Sequence, residues 1–291
     1  MHVPVLLREF LEQYSSLKIR TFIDCTLGGG GHSLALLENH PEIEKLYGID
    51  QDVDALAFAR EKLQAFEGKV EFIQGDFRTI KDLVPPGEYD GIFLDLGLSQ
   101  MQLDTSDRGF SFMRDGPLDM RKDQKNSLTA EIIVNTYSEK ELANLIFEYG
   151  EEHRSRRVAS AIIEARKKRR IKTTFDLMEI LKPVLTWGGR RNRHIHPMTL
   201  TFQALRIAVN DELEGLKEVI PESIDLLANQ GRLGIISFHS LEDRIVKHMF
   251  REFEKNERVN ILTKKPIVPS DEENASNPPS RSAKMRFIES T

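Results

Sequence analysis

Short apolar runs bounded by turn residues alternate along this chain with stretches whose apolar positions fall three and four apart. Residues 21–27, 46–50, 70–73 and 89–95 read as short buried strands. Between them, 32–39 and 54–66 read as helices, the second with Leu56, Ala59 and Leu63 on one face. Residues 1–18 place Val5, Leu6, Phe10, Leu11 and Leu17 at the spacing of a short amphipathic helix. Pro85-Pro86-Gly87 marks a loop. Strands alternating with helices predict an α/β fold with a parallel sheet and right-handed crossovers.

That alternation stops near Gln102. Residues 104–127 are polar and rich in turn signals. Ser138, with Glu141 three residues on, predicts a capping box, followed by Leu142, Leu145, Ile146 and Tyr149 on one helix face and Gly150 as a stop. Further helices are expected over 155–168 and 175–181, the latter ended by Pro183. The earlier pattern then resumes. A helix is expected over 200–227, a fifth buried strand over 231–239 and a helix over 241–253. Residues 264–283 read as an irregular tail. The organisation expected is one α/β domain, 1–106 with 200–291, interrupted by a helical insertion over 107–199.

Composition narrows the class. With 291 residues and 40% hydrophobic content, the chain can bury a sizeable core, which excludes a disordered protein. No apolar run approaches the ~20 residues of a membrane span, and the first residues lack a signal-peptide pattern. Cys25 is the single cysteine, so disulfides within the chain and a multi-cysteine zinc site are excluded and no metal is expected. A cytoplasmic location is expected. The formal charge of -5 hides an asymmetry. Residues 154–196 carry Arg154, Arg156, Arg157, Arg166, Lys167, Lys168, Arg169, Arg170, Lys172, Lys182, Arg190, Arg191 and Arg193 against Glu164, Asp176 and Glu179. Such one-signed density predicts a footprint for a polyanion on an otherwise acidic body.

Asp24-Cys-Thr-Leu-Gly28-Gly-Gly-Gly-His32 stands between a strand and a helix, where glycines let a ligand approach the backbone. Asp50, Asp76 and Asp95 stand at or just past three successive strand ends, the edge at which open α/β sheets bind ligands. Asp50 can take the ribose hydroxyls of an adenosine cofactor. The GxGxxG spacing of dinucleotide proteins is missed: Ser33 or Leu34 stands at the last glycine position. Asp24 would repel a pyrophosphate but could meet a cationic amino-acid end. S-adenosylmethionine, with its ammonium and sulfonium, therefore suits the loop better than a nicotinamide dinucleotide. No GxxxxGK[ST] is present, which argues against a P-loop nucleotidase.

Several stretches together resemble the bacterial small-subunit (16S) ribosomal RNA cytosine-N4 methyltransferases. They are His2-Val-Pro-Val, Asp24–Ser33, Gly48-Ile-Asp50, Leu94-Asp-Leu-Gly-Leu-Ser99, Gln102-Leu-Asp104, Arg108-Gly-Phe-Ser-Phe-Met113 and Gly116-Pro-Leu-Asp-Met-Arg121. Tyr149-Gly-Glu-Glu152, Thr201-Phe-Gln-Ala204, Ser237-Phe-His-Ser-Leu-Glu-Asp-Arg244 and Asn277-Pro-Pro-Ser-Arg-Ser-Ala283 continue the likeness over nearly the whole chain. Gln100-Met101, Met198 and Leu200 depart from the usual pattern. The resemblance implies a Rossmann-like class I methyltransferase sheet with an inserted helical domain. It implies methylation of a cytidine N4 in 16S rRNA, which tunes the ribosomal decoding centre. It implies S-adenosylmethionine contacts at Gly30, Gly31, His32, Asp50, Phe77, Asp95 and Gln102. For the chemistry, Asp95 is expected to accept hydrogen bonds from the target amino group, with Ser99 assisting. The small ribosomal subunit is the expected partner, held through phosphate contacts from Arg154, Arg156, Arg157, Arg166–Arg170 and Arg190, Arg191 and Arg193. No membrane partner is expected, and a homodimer is compatible with the resemblance. Phe238, His239, Glu242 and Asp243 follow the fifth strand and are expected at the ligand edge.

Overall fold

The computed structural model describes residues 3–97, 106–185 and 196–291. The chain forms two compact units, residues 1–99 with 213–291, and residues 100–212. Helices in chain order are α1 (Leu7–Tyr14), α2 (Gly31–Asn39), α3 (Val53–Lys62), α4 (Ile80–Leu83), α5 (Ala130–Thr136) and α6 (Glu139–Gly150). They continue with α7 (Ser155–Lys168), α8 (Thr174–Leu181), α9 (Thr199–Asn210), α10 (Glu212–Leu226), α11 (Ser240–Lys255) and α12 (Asp271–Ser276). Among the described residues none is long and apolar enough to cross a membrane.

The first unit holds a seven-stranded sheet in the order β3-β2-β1-β4-β5-β7-β6. The strands are β1 (Thr21–Asp24), β2 (Lys45–Asp50), β3 (Val70–Gln74), β4 (Tyr89–Asp95), β5 (Leu227–Ser237), β6 (Val259–Ile261) and β7 (Lys284–Ser290). The first five are parallel, with β1 at the centre of the strand-order reversal. β7 runs antiparallel to both β5 and β6, so the sheet is mixed rather than wholly parallel. Strand alternation sorts the apolar side chains onto two faces. Ile23, Ile92 and Leu94 join Leu216, Val219 and Ile220 of α10 and Phe250 of α11. Phe22 and Phe93 face the other way, onto Phe10, Tyr14, Leu36 and Leu37. There the rings of Phe10 and Phe93 lie 4.5 Å apart, and Tyr14 donates its hydroxyl to Ile92 O at 2.9 Å. Each fully buried side chain of this kind contributes about 2 kcal/mol of transfer free energy.

Three expectations need correction. The helix expected over 200–227 is two helices, broken at Asp211, whose φ of 49° no α-helix continues through. The first of them, α9, belongs to the second unit, so the return to the sheet falls at Leu213 rather than at Leu200. The tail expected to be irregular contains α12 and a short 3-10 turn, Pro278–Ser282, and it pins the start of the chain. Glu273 accepts the Leu6 N–H at 2.8 Å, and Asn277 Nδ2 donates to Val3 O at 3.1 Å.

The second unit is helical, with α9 and α7 packed on α6, and α8 on α7. Leu142, Ile146, Val158, Ile162, Leu177 and Leu205 are buried in it. α6 opens on the expected Ser138–Glu141 capping box. Its 106–126 segment is held by charge. The Arg121 guanidinium grips Asp119 through Nε and Nη2, at 2.8 and 2.7 Å. Burial pushes the Asp119 carboxyl up, but the Arg121 hydrogen bonds and charge outweigh it and hold the carboxyl below its ordinary range. Arg108, 9% exposed, donates to the carbonyls of Arg121 and Lys122.

Candidate active site

The edge formed by the carboxyl ends of β1, β2 and β4 brings Asp24, Asp50 and Asp95 together with the glycine loop. The loop is strung on main-chain bonds: Cys25 N–H donates to Phe93 O and Leu27 N–H to Ile49 O, both at 2.9 Å. Gly30 then turns left-handed, with φ 71°, to start α2 without a side-chain cap. At Gly31 a Cβ would lie 2.5 Å from Pro4 Cγ, so the segment at Val3–Val5 packs directly onto the loop. The Val-Pro-Val stretch gave no sign of this from spacing alone.

Each of the three acids has a different setting. The Asp50 carboxylate accepts Gly28 N–H at 2.8 Å on one oxygen and Asp52 N–H at 2.9 Å on the other, which fixes its plane at the sheet edge. The Asp24 carboxylate is 2% exposed. Ser33 Oγ donates to it at 2.6 Å, and Thr26 N–H at 3.2 Å. Burial pushes this carboxyl up to about 6, against the pull of Ser33 and His32. The carboxylate that could meet a cationic ligand end is thus enclosed by its own loop in this structure. Asp95 presents its N–H to Thr26 Oγ1 at 2.6 Å, and its Oδ2 lies 3.7 Å from His32 Nδ1. His32, 8% exposed, donates Nε2–H to Val5 O at 3.0 Å and packs against the rings of Phe10 and Phe93. Thr26 and Ser33, which residue type alone did not single out, thus join the site as the groups that hold its two inner acids.

Phe77 follows β3, half-buried against the core, just after Asp76 caps its turn by accepting Arg78 N–H at 3.0 Å. Gly30, Gly31, His32, Asp50, Phe77 and Asp95 all stand in the first unit along this edge; Ser99 and Gln102 lie outside the described residues. A fixed carboxylate beside a glycine loop, with a half-buried aromatic on the next strand end, fits an adenosyl group: the acid for vicinal hydroxyls, the ring for the base. The residues after β5, expected at this edge, cap and brace the next helix. His239 caps α11 with Glu242 in a reciprocal box, and Glu242, 2% exposed, accepts Phe238 N–H at 2.8 Å. Asp243 accepts from Arg286 Nε at 2.7 Å and Lys284 Nζ at 3.2 Å; burial opposes these cations, yet they hold its carboxyl low.

The basic residues of the second unit divide as well. Arg156, Arg157 and Lys168 are exposed, with no ion pair among the described residues. Arg154 pairs with Glu152, Lys167 with Glu164, Arg169 with Asp176 and Arg170 with Glu131. Arg166 is turned inward, donating to Val134 O at 3.0 Å and Tyr137 O at 2.7 Å, where it satisfies carbonyls at the end of α5. Arg190, Arg191 and Arg193 lie outside the described residues. His196 stacks on Phe112, with ring centroids 4.7 Å apart.

Several known proteins are similar to this chain. A ribosomal RNA small subunit methyltransferase H from Persephonella marina is 51% identical over 98% of this chain and 97% of its own. One from Acaryochloris marina is 47% identical over 99% and 94%. A crystal structure of an rRNA methylase from Streptococcus thermophilus, 10% identical, superposes with a TM-score of 0.44 over 97% of this chain and 92% of that one. The model of the MraW methylase family matches residues 1–291 from end to end, and the chain belongs to that family.

Proposed function

We propose that the chain transfers a methyl group from S-adenosylmethionine to the N4 amino group of a cytidine in small-subunit (16S) ribosomal RNA. The full-length match to a methylase family, with relatives named for the small ribosomal subunit, carries this reading. When bound, S-adenosylmethionine supplies a methyl carbon on a sulfonium, open to in-line displacement by the amino nitrogen. Asp50 takes the ribose hydroxyls, its orientation set beforehand by the Gly28 and Asp52 amides. Phe77 lies against the adenine, and the main chain of Gly30 and Gly31 lets the cofactor approach closely. Asp95 accepts hydrogen bonds from the amino group, which returns electron density to the nitrogen lone pair and receives the departing proton. Thr26 and His32 keep Asp95 in place for that step. Ser99 assists at the amino group and Gln102 at the cofactor.

The second unit supplies phosphate contacts to the RNA, foremost from Arg156, Arg157 and Lys168, and the acceptor cytidine leaves its stack to be reached. The protein acts in the cytoplasm, where small subunits are at hand, and a homodimer is compatible with the chemistry. The test follows labelled methyl from S-adenosylmethionine into small subunits that lack the modification, with nucleosides identified by mass spectrometry. N4-methylcytidine is expected. Cofactor binding without any labelled cytidine would overturn the assignment.

A further inference from the structure

The sheet-bearing unit carries its own basic surface, on α11. Three groups of side chains divide this helix. Leu241, Val246 and Phe250 are buried, so its apolar face is used up against the sheet. Its acids are mostly engaged: Glu242 in the N-terminal cap, Asp243 with Arg286 and Lys284, and Glu254 accepting Ile261 N–H at 3.2 Å. Arg244, His248, Arg251 and Lys255 are exposed and Lys247 half-buried, at the three- and four-residue spacing of a single helix face. Lys247, Arg251 and Lys255 make no ion pair among the described residues. Glu252, the remaining acid, projects about 100° round the helix from Arg251. The stripe is out of keeping with its surroundings, because the unit as a whole has 21 Lys and Arg against 30 Asp and Glu.

Position adds to charge. β5 delivers Ser237 and His239 to the edge where β1, β2 and β4 present Asp24, Asp50 and Asp95, and α11 starts there. The helix then runs back along the sheet. Its stripe therefore leads away from the candidate active site, with about one cation per 5.4 Å turn over roughly 16 Å. That reach spans about four to five phosphates of a nucleic-acid strand, at ~3.4 Å each. An anionic membrane would need apolar residues to insert, and α11 has spent its own on the core.

We propose that the Lys247–Arg251–Lys255 face of α11 tracks the phosphates of the RNA strand that flanks the acceptor cytidine. The proposal rests on the rRNA methyltransferase reading and adds a second RNA surface, apart from the basic helices of the other unit. Each neutralised contact releases a counterion on binding, so the surface is read out in the salt dependence of affinity.

The experiment uses the full chain and a 16S rRNA fragment holding the acceptor cytidine. Binding is measured over a salt series for the wild type, for Lys247→Gln/Arg251→Gln/Lys255→Gln, for Arg251→Gln alone and for Lys247→Arg/Lys255→Arg. The triple variant should lower the slope of log K against log salt by about 2 to 3, and Arg251→Gln by about 1. The arginine-substituted variant should keep the wild-type slope. KM for RNA should rise in the triple variant, with kcat at saturating RNA and S-adenosylmethionine affinity preserved. An unchanged slope in the triple and single variants, with wild-type RNA binding intact, overturns the surface alone. A loss confined to anionic vesicles or acidic proteins overturns it too. A wild type that neither binds nor methylates the RNA overturns the underlying reading as well.

Discussion

Asp24 illustrates how one residue can set a pH response. Its folded carboxyl titrates near 6 and its unfolded one near the ordinary 3.8. Between those values the folded chain keeps a proton that the unfolded chain has lost. Stability therefore declines as pH rises through that window, by on the order of 3 kcal/mol in all, and the loss is complete above it. Asp24→Asn keeps an acceptor for Ser33 and removes the ionisation. Denaturant titrations at pH 4.5 and pH 7 should show the variant gaining on the wild type as pH rises; a constant difference would mean the buried acid does not titrate there. Asp95 answers a different question, because it is the proposed acceptor of the amino proton. Asp95→Asn preserves shape but cannot receive the amino proton. Single-turnover transfer at saturating cofactor should fall by about 100-fold or more. A near-normal rate would show that another group takes the proton.

Among elements, two glycines in the motif-bearing loops are sterically confined in a way that a residue pattern does not display. Gly109 has a φ of 66°, and a Cβ there would meet Pro117 O at 2.0 Å. Gly109→Ala should destabilise the second unit by about 2 kcal/mol or more, seen as early amide exchange in α5–α9 with the sheet unchanged. Exchange at wild-type rates would mean that the 106–126 segment yields easily. The legible elements were those whose signals are local. The α6 capping box is written in Ser138 and Glu141, and the parallel strands stand out as apolar runs. β7 was hidden because Arg286 interrupts its apolar run, and only Asp243, 43 positions away, explains a buried arginine. β6 has three residues, too few for any period to show.

For the molecule as a whole, the α/β class and the acid-lined strand ends were readable, since both follow from alternation and from where strands stop. The order of the last strands, the left-handed break at Asp211 and the inward turn of Arg166 were not. The strand order and the Arg166 turn depend on partners distant in sequence, and the Asp211 break on a backbone φ that its residue type does not announce. In the site, Asp50 and Asp95 were legible as strand-end acids, whereas the burial of Asp24 depended on packing that no spacing reveals. β4 and β5 pair side by side, yet the entire 100–212 unit is strung between them. Closing so long a connection costs little more than closing a short crossover, because each doubling of length adds only about 0.6 kcal/mol. In genetic terms, the seam between those strands is where a coding segment can be gained, exchanged or lost while the sheet survives. A chain that keeps the sheet is thus free to vary its helical unit by rewriting a single interval of the gene.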